Sequence, residues 1–190
     1  MKISLKTIAA ALILPALLMA PAGAEEKKLW ADSVLGKKAP ELVVEKWLGS
    51  QPETKGKWVL VDFWATWCGP CRAAIPELNT FHDKFKDKLV VIGISDEAED
   101  KVSAMKEPAI KYHSAIDTQA RMKTALNVKG IPHVIVIDPE GIVRWEGFPL
   151  LEGHELTTEV MEKLLASPAP EKKEAPAGEK KEAPPAAEKK

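Results

Sequence analysis

Two cysteines separated by only two residues are the strongest chemical signal in this sequence. They are Cys68 and Cys71 in the stretch CGPC, and they are the two cysteines of the 190-residue chain. On the first turn of a helix, residues three apart lie about 5–6 Å from each other, within the Cα range of a disulfide. Closing so small a ring costs little chain entropy, so the bridge can open and close reversibly. The spacing predicts a redox-active dithiol.

The residues around the pair predict different roles for the two sulfurs. A nearly continuous apolar run, Lys57–Ala65, precedes Cys68, and a helical pattern follows it. Cys68 is therefore expected at a helix N-terminus, where unpaired N–H groups and the helix dipole favour the thiolate. Cys71, one turn further in, is expected to be more buried and to resolve the mixed disulfide. Pro70 suits this first turn because its missing N–H would have no partner there.

A zinc site and an inert structural bridge are the alternative interpretations of this pair. A C-x-x-C can be half of a zinc site, but no second pair follows, and four scattered histidines would have to supply the other ligands. A disulfide across four residues adds little stability through loop entropy, which disfavours a purely structural role. Both alternatives stay open here, and we expect no metal or other cofactor.

The elements that position the cysteines alternate between strand and helix. Strand patterns cover residues 57–65, 88–96 and 113–117, and a two-stranded unit covers 133–147 with its turn at 139–141. Helical patterns lie directly after Cys71, directly before Pro108, over residues 118–128 and at the end of the domain. Ala39–Gly49 has the pattern of a hairpin or a strand. Alternating elements require a sheet covered on both faces. Cys68 falls where a central strand enters its helix, at the carboxyl edge of the sheet, where α/β proteins place their chemistry.

The N-terminus has the pattern of an export signal. Residues 1–24 contain two lysines, then an apolar run, then Ala22-Gly23-Ala24, which predicts cleavage before Glu25. The alternative is an uncleaved membrane anchor, which the short run and its Pro15 disfavour. In either case we expect an extracytoplasmic location, with residues 25–37 as a leader segment.

The C-terminal segment has a different composition again. Residues 167–190 contain no large apolar side chain and repeat EKKEAP. Such a segment cannot bury enough apolar surface to offset its ordering entropy, so we expect a disordered, solvated tail. This leaves residues 38–166 as one folded domain. The formal net charge of −1 and the absence of a basic stripe argue against nucleic acid as a partner.

Sequence features across this domain resemble one family. They are KKAPEL near its start, VLVDFWATWCGPCR, Pro76 in the following helix, LVVIGIS, and GIPHVIVIDPEGIV. The domain is identified as a member of the thioredoxin superfamily, and it resembles the exported TlpA- or ResA-like branch. The resemblance implies an α/β thioredoxin fold with a central mixed sheet flanked by helices. It also implies an N-terminal hairpin extension and a helix–strand insert at about 97–117.

The resemblance also implies roles for individual residues. Cys68 is the nucleophile and Cys71 the resolving thiol. Pro132 matches a proline preceded by a cis peptide bond, where the Ile131 backbone would face Cys68 and pair with an extended substrate. Asp62 matches a carboxylate buried beneath the cysteines, a general base for Cys71 whose pKa burial should raise. The alternatives are a buried carboxylate satisfied by hydrogen bonds and an ordinary turn proline.

Two positions depart from the family pattern. A threonine often follows the cis-proline, whereas here the residue is His133, which either makes thiolate formation pH-dependent or points into the sheet. Thioredoxin pairs its buried carboxylate with a lysine on the neighbouring strand, and alignment puts Gly93 there, which leaves the ionisation of Asp62 open. The residues implied to contact substrate are Trp67, Gly69, Pro70 and Ile131.

These features favour an extracytoplasmic thiol–disulfide oxidoreductase that acts as a reductant. Thioredoxin, with the same Gly-Pro dipeptide, has a potential of about −270 mV, against about −120 mV for the oxidant DsbA. Expected partners are disulfide-containing exported proteins, with apocytochrome c as the family precedent, and a membrane electron donor of the DsbD or CcdA type. We expect a monomer.

Three other functions are weighed against this one. A disulfide oxidase or isomerase fits the compartment but not the dipeptide. A thiol peroxidase usually has Thr-x-x-Cys, whereas Thr66 lies only two residues before Cys68. A non-enzymatic binding module would use the same groove near Ile131 and Pro132, and would keep its function without Cys68.

Overall fold

A six-stranded mixed sheet organises the residues that the computed structural model describes, 29–167. Its strands are β1 (Lys46–Trp47), β2 (Trp58–Trp64), β3 (Leu89–Ser95), β4 (His113–Ile116), β5 (His133–Ile137) and β6 (Val143–Gly147). The helices are α1 (Gly69–Phe85), α2 (Glu99–Ala104), α3 (Arg121–Ala125) and α4 (Thr158–Ala166). The strand order is β1-β4-β3-β2-β5-β6, with β2, β3 and β4 parallel. This confirms the predicted α/β thioredoxin fold.

The central strands are apolar throughout because both of their faces are covered. Every residue of β2 and β3 is buried. One face packs against α1 and α4, through side chains that include Leu60, Val91 and Leu78. The other face packs against α3 and the N-terminal segment, through side chains that include Phe63 and Met122. Alternate residues of β2 therefore belong to different cores, and Asp62 shares the α1 face with Leu60.

Of the two predictions for residues 39–49, the hairpin is wrong, and the strand is present as β1 at Lys46–Trp47. Lys38 forms an antiparallel bridge with Ile142 beside β6, whereas β1 pairs with β4 at the opposite edge of the sheet. The chain between them crosses the sheet face and packs Leu42 and Val44 on the α3 side. Packing these side chains against the sheet removes apolar surface from water, which favours this path of the chain.

The folded unit begins earlier than the predicted boundary at residue 38. Ala31 and Val34 pack on the α3 face of the sheet, and the N–H of Gly36 donates to the carbonyl of Val143 at 2.8 Å. Part of the predicted leader segment is thus an edge of the fold. The predictions for residues 1–28 and 168–190, a signal peptide and a solvated tail, lie outside the described residues. Between residues 29 and 167, no helix is long and apolar enough to cross a bilayer.

The predicted helix–strand insert is present as α2 and β4, and the turn at 139–141 joins β5 to β6 as predicted. α3 is shorter than the predicted helix over 118–128. Its N-cap is Ala120, which offers no capping side chain; Asp117 instead accepts from the N–H of Arg121 at 2.7 Å and from its Nε at 2.8 Å. Ala120 adopts a left-handed conformation with a φ of 50°, so the regular helix starts only at Arg121.

Candidate redox site

Cys68 is the N-cap of α1, in the short loop that leaves β2. The N–H of Cys71 points at Cys68 Sγ across 3.2 Å, and the Cys68 N–H donates to the carbonyl of Ala65 at 3.1 Å. Pro70 lies in the first turn of the helix. The sulfur of Cys68 therefore lies at the positive end of a helix of 17 residues, an environment that stabilises a thiolate.

The two cysteines form a disulfide in this structure. Their sulfurs are 2.01 Å apart and their Cα atoms 5.2 Å apart. Cys68 is 4% exposed and Cys71 is 0% exposed. An external group can thus reach Cys68 but not Cys71, which is the asymmetry that nucleophilic attack followed by internal resolution requires.

The loop before β5 lies opposite Cys68. The peptide bond between Ile131 and Pro132 is cis, as the resemblance implies. The carbonyl oxygen of Ile131 lies 3.7 Å from Cys68 Sγ. Pro132 is buried and Ile131 is partly exposed. A backbone segment beside the sulfur can pair with an extended chain, which keeps Ile131 as the predicted substrate contact.

The surface around Cys68 is formed by the remaining residues predicted to contact substrate. Trp67 is 72% exposed, and Gly69 and Pro70 are also exposed. Trp64, by contrast, is 1% exposed and belongs to the core beneath the cysteines. An exposed indole beside a reactive sulfur offers apolar contact area to a partner.

Asp62 is completely buried on the α1 face of β2. Burial raises the pKa of its carboxyl from 3.8 to about 8, because the charged form loses its hydration. Among the residues described, none donates a hydrogen bond to either oxygen. A carboxyl with a pKa near neutrality can accept a proton from a thiol and release it again, which suits the predicted general base.

Gly93 does lie opposite Asp62 in the register of β2 and β3. A Cβ atom at this position would be 2.9 Å from Cε2 of Tyr112 and 3.0 Å from Nε1 of Trp64. Such distances leave no room for a side chain. The lysine of thioredoxin therefore has no counterpart here, and an aromatic ring that the sequence analysis did not single out, Tyr112, fills its place.

His133 points into the core on the face opposite Asp62. It is 1% exposed and stacks on Phe63 with ring centroids 6.2 Å apart. Burial lowers the pKa of its imidazole to about 4, although the charge of Glu146 opposes this shift. The ring is therefore neutral near pH 7. This geometry fits the second of the two interpretations, a histidine pointing into the sheet, and does not favour a pH-dependent effect on Cys68.

Glu97 is a further residue of the site that the sequence analysis missed. Its carboxylate accepts from the N–H of Thr66 at 2.6 Å and from the hydroxyl of Thr66 at 2.8 Å. Glu97 thereby ties the loop that carries Trp67 and Cys68 to the end of β3. The sequence did contain a signal for this role: Glu97 lies two residues after β3, which ends at the same edge of the sheet as β2.

Replacing Glu97 with alanine is expected to lower the free energy of unfolding by about 1–3 kcal/mol, because two charge-assisted hydrogen bonds to the Thr66 loop are lost. Urea unfolding of the oxidised protein at pH 7 measures this loss. Glu162→Ala is the matched control: its ion pair with Lys84 is about half exposed, so the change should stay below about 0.5 kcal/mol. Equal effects of the two substitutions would contradict the role given to Glu97.

No group of three or more histidine, cysteine, aspartate or glutamate side chains within residues 29–167 is arranged to hold a metal ion. The sulfurs of Cys68 and Cys71 are instead bonded to each other.

Comparison with known proteins agrees with this geometry. Residues 35–146 match the AhpC/TSA family. A thiol-disulfide oxidoreductase ResA of Bacillus thuringiensis subsp. konkukian is 33% identical over 142 residues, which cover 72% of this chain and 79% of the relative. The ResA of Bacillus cereus is 34% identical over 115 residues, covering 57% of this chain and 66% of the relative, slightly under two thirds of its length.

A solved structure supports the same assignment. It is the crystal structure of a putative thiol:disulfide interchange protein DsbE from Chlorobium tepidum. Its TM-score is 0.59 at 26% identity, covering 70% of this chain and 96% of the other. With its cysteine pair at disulfide distance on a thioredoxin-like sheet, this chain belongs to the AhpC/TSA family of thioredoxin-like proteins and is of the ResA type.

Proposed function

We propose that this thiol–disulfide oxidoreductase is an extracytoplasmic reductant of disulfides in exported proteins. The observation that carries the proposal is the asymmetric cysteine pair: Cys68 is reachable at a helix N-terminus, Cys71 is buried, and the Ile131 carbonyl lies 3.7 Å from the reachable sulfur. The export-signal pattern of residues 1–24 supports the extracytoplasmic location.

The reaction consists of two thiol–disulfide exchanges. In the reduced protein, the Cys68 thiolate attacks one sulfur of the substrate disulfide; that S–S bond breaks and the other substrate sulfur leaves as a thiolate. Asp62, as carboxylate, then takes the proton from the Cys71 thiol. The Cys71 thiolate attacks Cys68 Sγ, forms the Cys68–Cys71 bridge and releases the second substrate thiolate. Two electrons pass from the protein to the substrate.

The residues between the cysteines support reduction of the substrate as the direction of this exchange. The Gly-Pro dipeptide is that of thioredoxin, near the reducing end at about −270 mV. A reductant outside the cytoplasm has no glutathione system to regenerate it, so electrons have to cross the membrane. A donor of the DsbD or CcdA type would supply them, and apocytochrome c cysteines would be substrates.

The peroxidase alternative has less support from the site. The hydroxyl of Thr66 donates to Glu97 at 2.8 Å. It is therefore already engaged away from the sulfur of Cys68. An oxidase or isomerase would use the same cysteines, so the reduction potential decides between it and a reductant.

Cys71→Ser in cells tests the proposal directly. Without the resolving thiol, the mixed disulfide on Cys68 should accumulate, and non-reducing electrophoresis with mass spectrometry would identify the captured proteins. Exported proteins with reducible disulfides and a membrane electron carrier are expected, and the double variant Cys68→Ser/Cys71→Ser should capture neither. An empty capture, or a reduction potential of the wild type of about −120 mV, would argue against a reductant.

A further inference from the structure

Three buried polar side chains surround Gly93 on the α1 face of the sheet. They are Asp62, Trp64 and Tyr112, with exposed fractions of 0%, 1% and 4%. In the described part of the chain, neither carboxyl oxygen of Asp62, nor the indole N–H of Trp64, nor the hydroxyl of Tyr112 has a hydrogen-bonding partner. Buried polar groups are rarely left unpaired, because each costs about 1–3 kcal/mol. An acceptor carboxylate and two donors around one residue are chemically complementary.

The absence of a side chain at Gly93 brings these groups together. Asp62 is paired with Gly93 in the strand register, and both Cε2 of Tyr112 and Nε1 of Trp64 lie within 3.0 Å of the point where a Cβ would be. The tyrosine ring and the indole N–H therefore occupy the space beside the carboxyl into which a lysine at this position would extend.

The electrostatics link the same two groups. The pKa of Tyr112 is raised well above its ordinary value, first by burial and then by the negative charge of Asp62. The fully buried ionisable side chain of α1 is Cys71, while its half-buried His82 contacts His113 of β4, and β3 has no ionisable side chain. His133 of β5 lies on the other face, and the charged residues within 105–111 are exposed. The titratable groups that face Asp62 are thus Cys71 and Tyr112.

From this juxtaposition we propose that Tyr112 is the positioning residue for proton transfer in the resolving step. Its hydroxyl donates a hydrogen bond to the Asp62 carboxylate through one bridging water, and the Trp64 N–H is the second donor in this water-mediated arrangement. This inference rests on the proposed function, in which Asp62 accepts the proton of Cys71. The tyrosine keeps its own proton throughout; it stabilises the carboxylate that receives one. Here an uncharged donor does what a lysine does in thioredoxin.

Tyr112→Phe removes only the hydroxyl and keeps the ring over Gly93. Loss of the donor should raise the pKa of Asp62 by about one unit, since hydrogen bonds to charged groups contribute about 1.5–3 kcal/mol. Stopped-flow measurement of the resolving step should then show a rate about tenfold lower at pH 7, with the two proteins converging at alkaline pH. Stability should not fall in parallel, because the removed hydroxyl makes no direct hydrogen bond to another protein group.

A second readout does not depend on turnover. Tyr112 is the single tyrosine of the chain, so ¹³C labelling of tyrosine Cζ reports on it alone. Its resonance should titrate with the midpoint of Asp62 in the wild type and lose that transition in Asp62→Asn. A Tyr112→Phe rate profile that superimposes on the wild type, or a Cζ resonance that does not follow Asp62, overturns the inference. If the wild type reduces no disulfide, the proposed function fails instead, and the Cζ titration still tests the contact.

Discussion

Cys68→Ser is expected to abolish disulfide reduction, with a loss of at least about 10³-fold in turnover. A serine hydroxyl is not ionised near pH 7 and cannot form the mixed disulfide, so the first exchange cannot occur. The local fold should survive. Cys68 is the N-cap of α1, and serine is among the best N-cap residues, so its Oγ can accept from the Cys71 N–H in place of the sulfur.

The assay is the reduction of a protein disulfide with a chemical or enzymatic electron donor at pH 7. Circular dichroism and thermal unfolding of the variant provide the control, since a folded but inactive protein isolates the chemistry. Turnover close to that of the wild type would mean that Cys68 is not the nucleophile. A binding module that uses the Ile131–Pro132 groove would likewise keep its function without Cys68, so the same variant separates an enzyme from a holdase.

The free energy of unfolding is expected to fall as pH rises from about 4 to about 8, and Asp62→Asn should remove this fall. Burial raises the pKa of Asp62 from 3.8 to about 8 in the folded protein. Between these values the unfolded chain has released the proton and the folded chain has not, so raising the pH favours unfolding. At 1.36 kcal/mol per pKa unit, the cost is roughly 4 kcal/mol at pH 7 and reaches its full value above pH 8.

Urea unfolding of the oxidised wild type and of Asp62→Asn across pH 4–9 measures this difference. The two proteins should be nearly equal at pH 4, close to the unfolded pKa of 3.8, where the cost is still below about 1 kcal/mol, and should diverge steadily above it. Asp83→Asn is a suitable control because the carboxylate of Asp83 is 57% exposed in an ion pair with Lys111. A difference between wild type and Asp62→Asn that does not change with pH would show that the Asp62 carboxyl is not held neutral.

The stability gained in Asp62→Asn should come with slower catalysis. The variant keeps the first exchange, because Cys68 is unchanged, but lacks the acceptor for the Cys71 proton. Mixed disulfide should therefore accumulate transiently in the variant near neutral pH. This opposite movement of stability and rate is typical of a buried ionisable group kept for function.

Local patterns in the sequence were sufficient for the redox pair and for most of the fold. The CGPC spacing, the apolar run before it and the helical pattern after it determine that Cys68 begins a helix at the carboxyl edge of a buried strand. The same kind of pattern predicted β3 and the hairpin of β5 and β6, whereas the insert was predicted from the family resemblance. Strand and helix periods are properties of neighbouring residues, so they can be read without knowing the pairing of distant segments.

The tertiary structure decided whatever depends on residues far apart in the chain. Ala39–Gly49 crosses the sheet instead of forming a hairpin, because its pairing partners are Ile142 at one edge and β4 at the other. Strand register decides which face of the sheet His133 occupies. Core packing decides that Tyr112 fills the space over Gly93, beside Asp62. The sequence by itself determined the chemistry of the two sulfurs. The environment that controls their protons depends on close packing between separate elements, which no local period encodes.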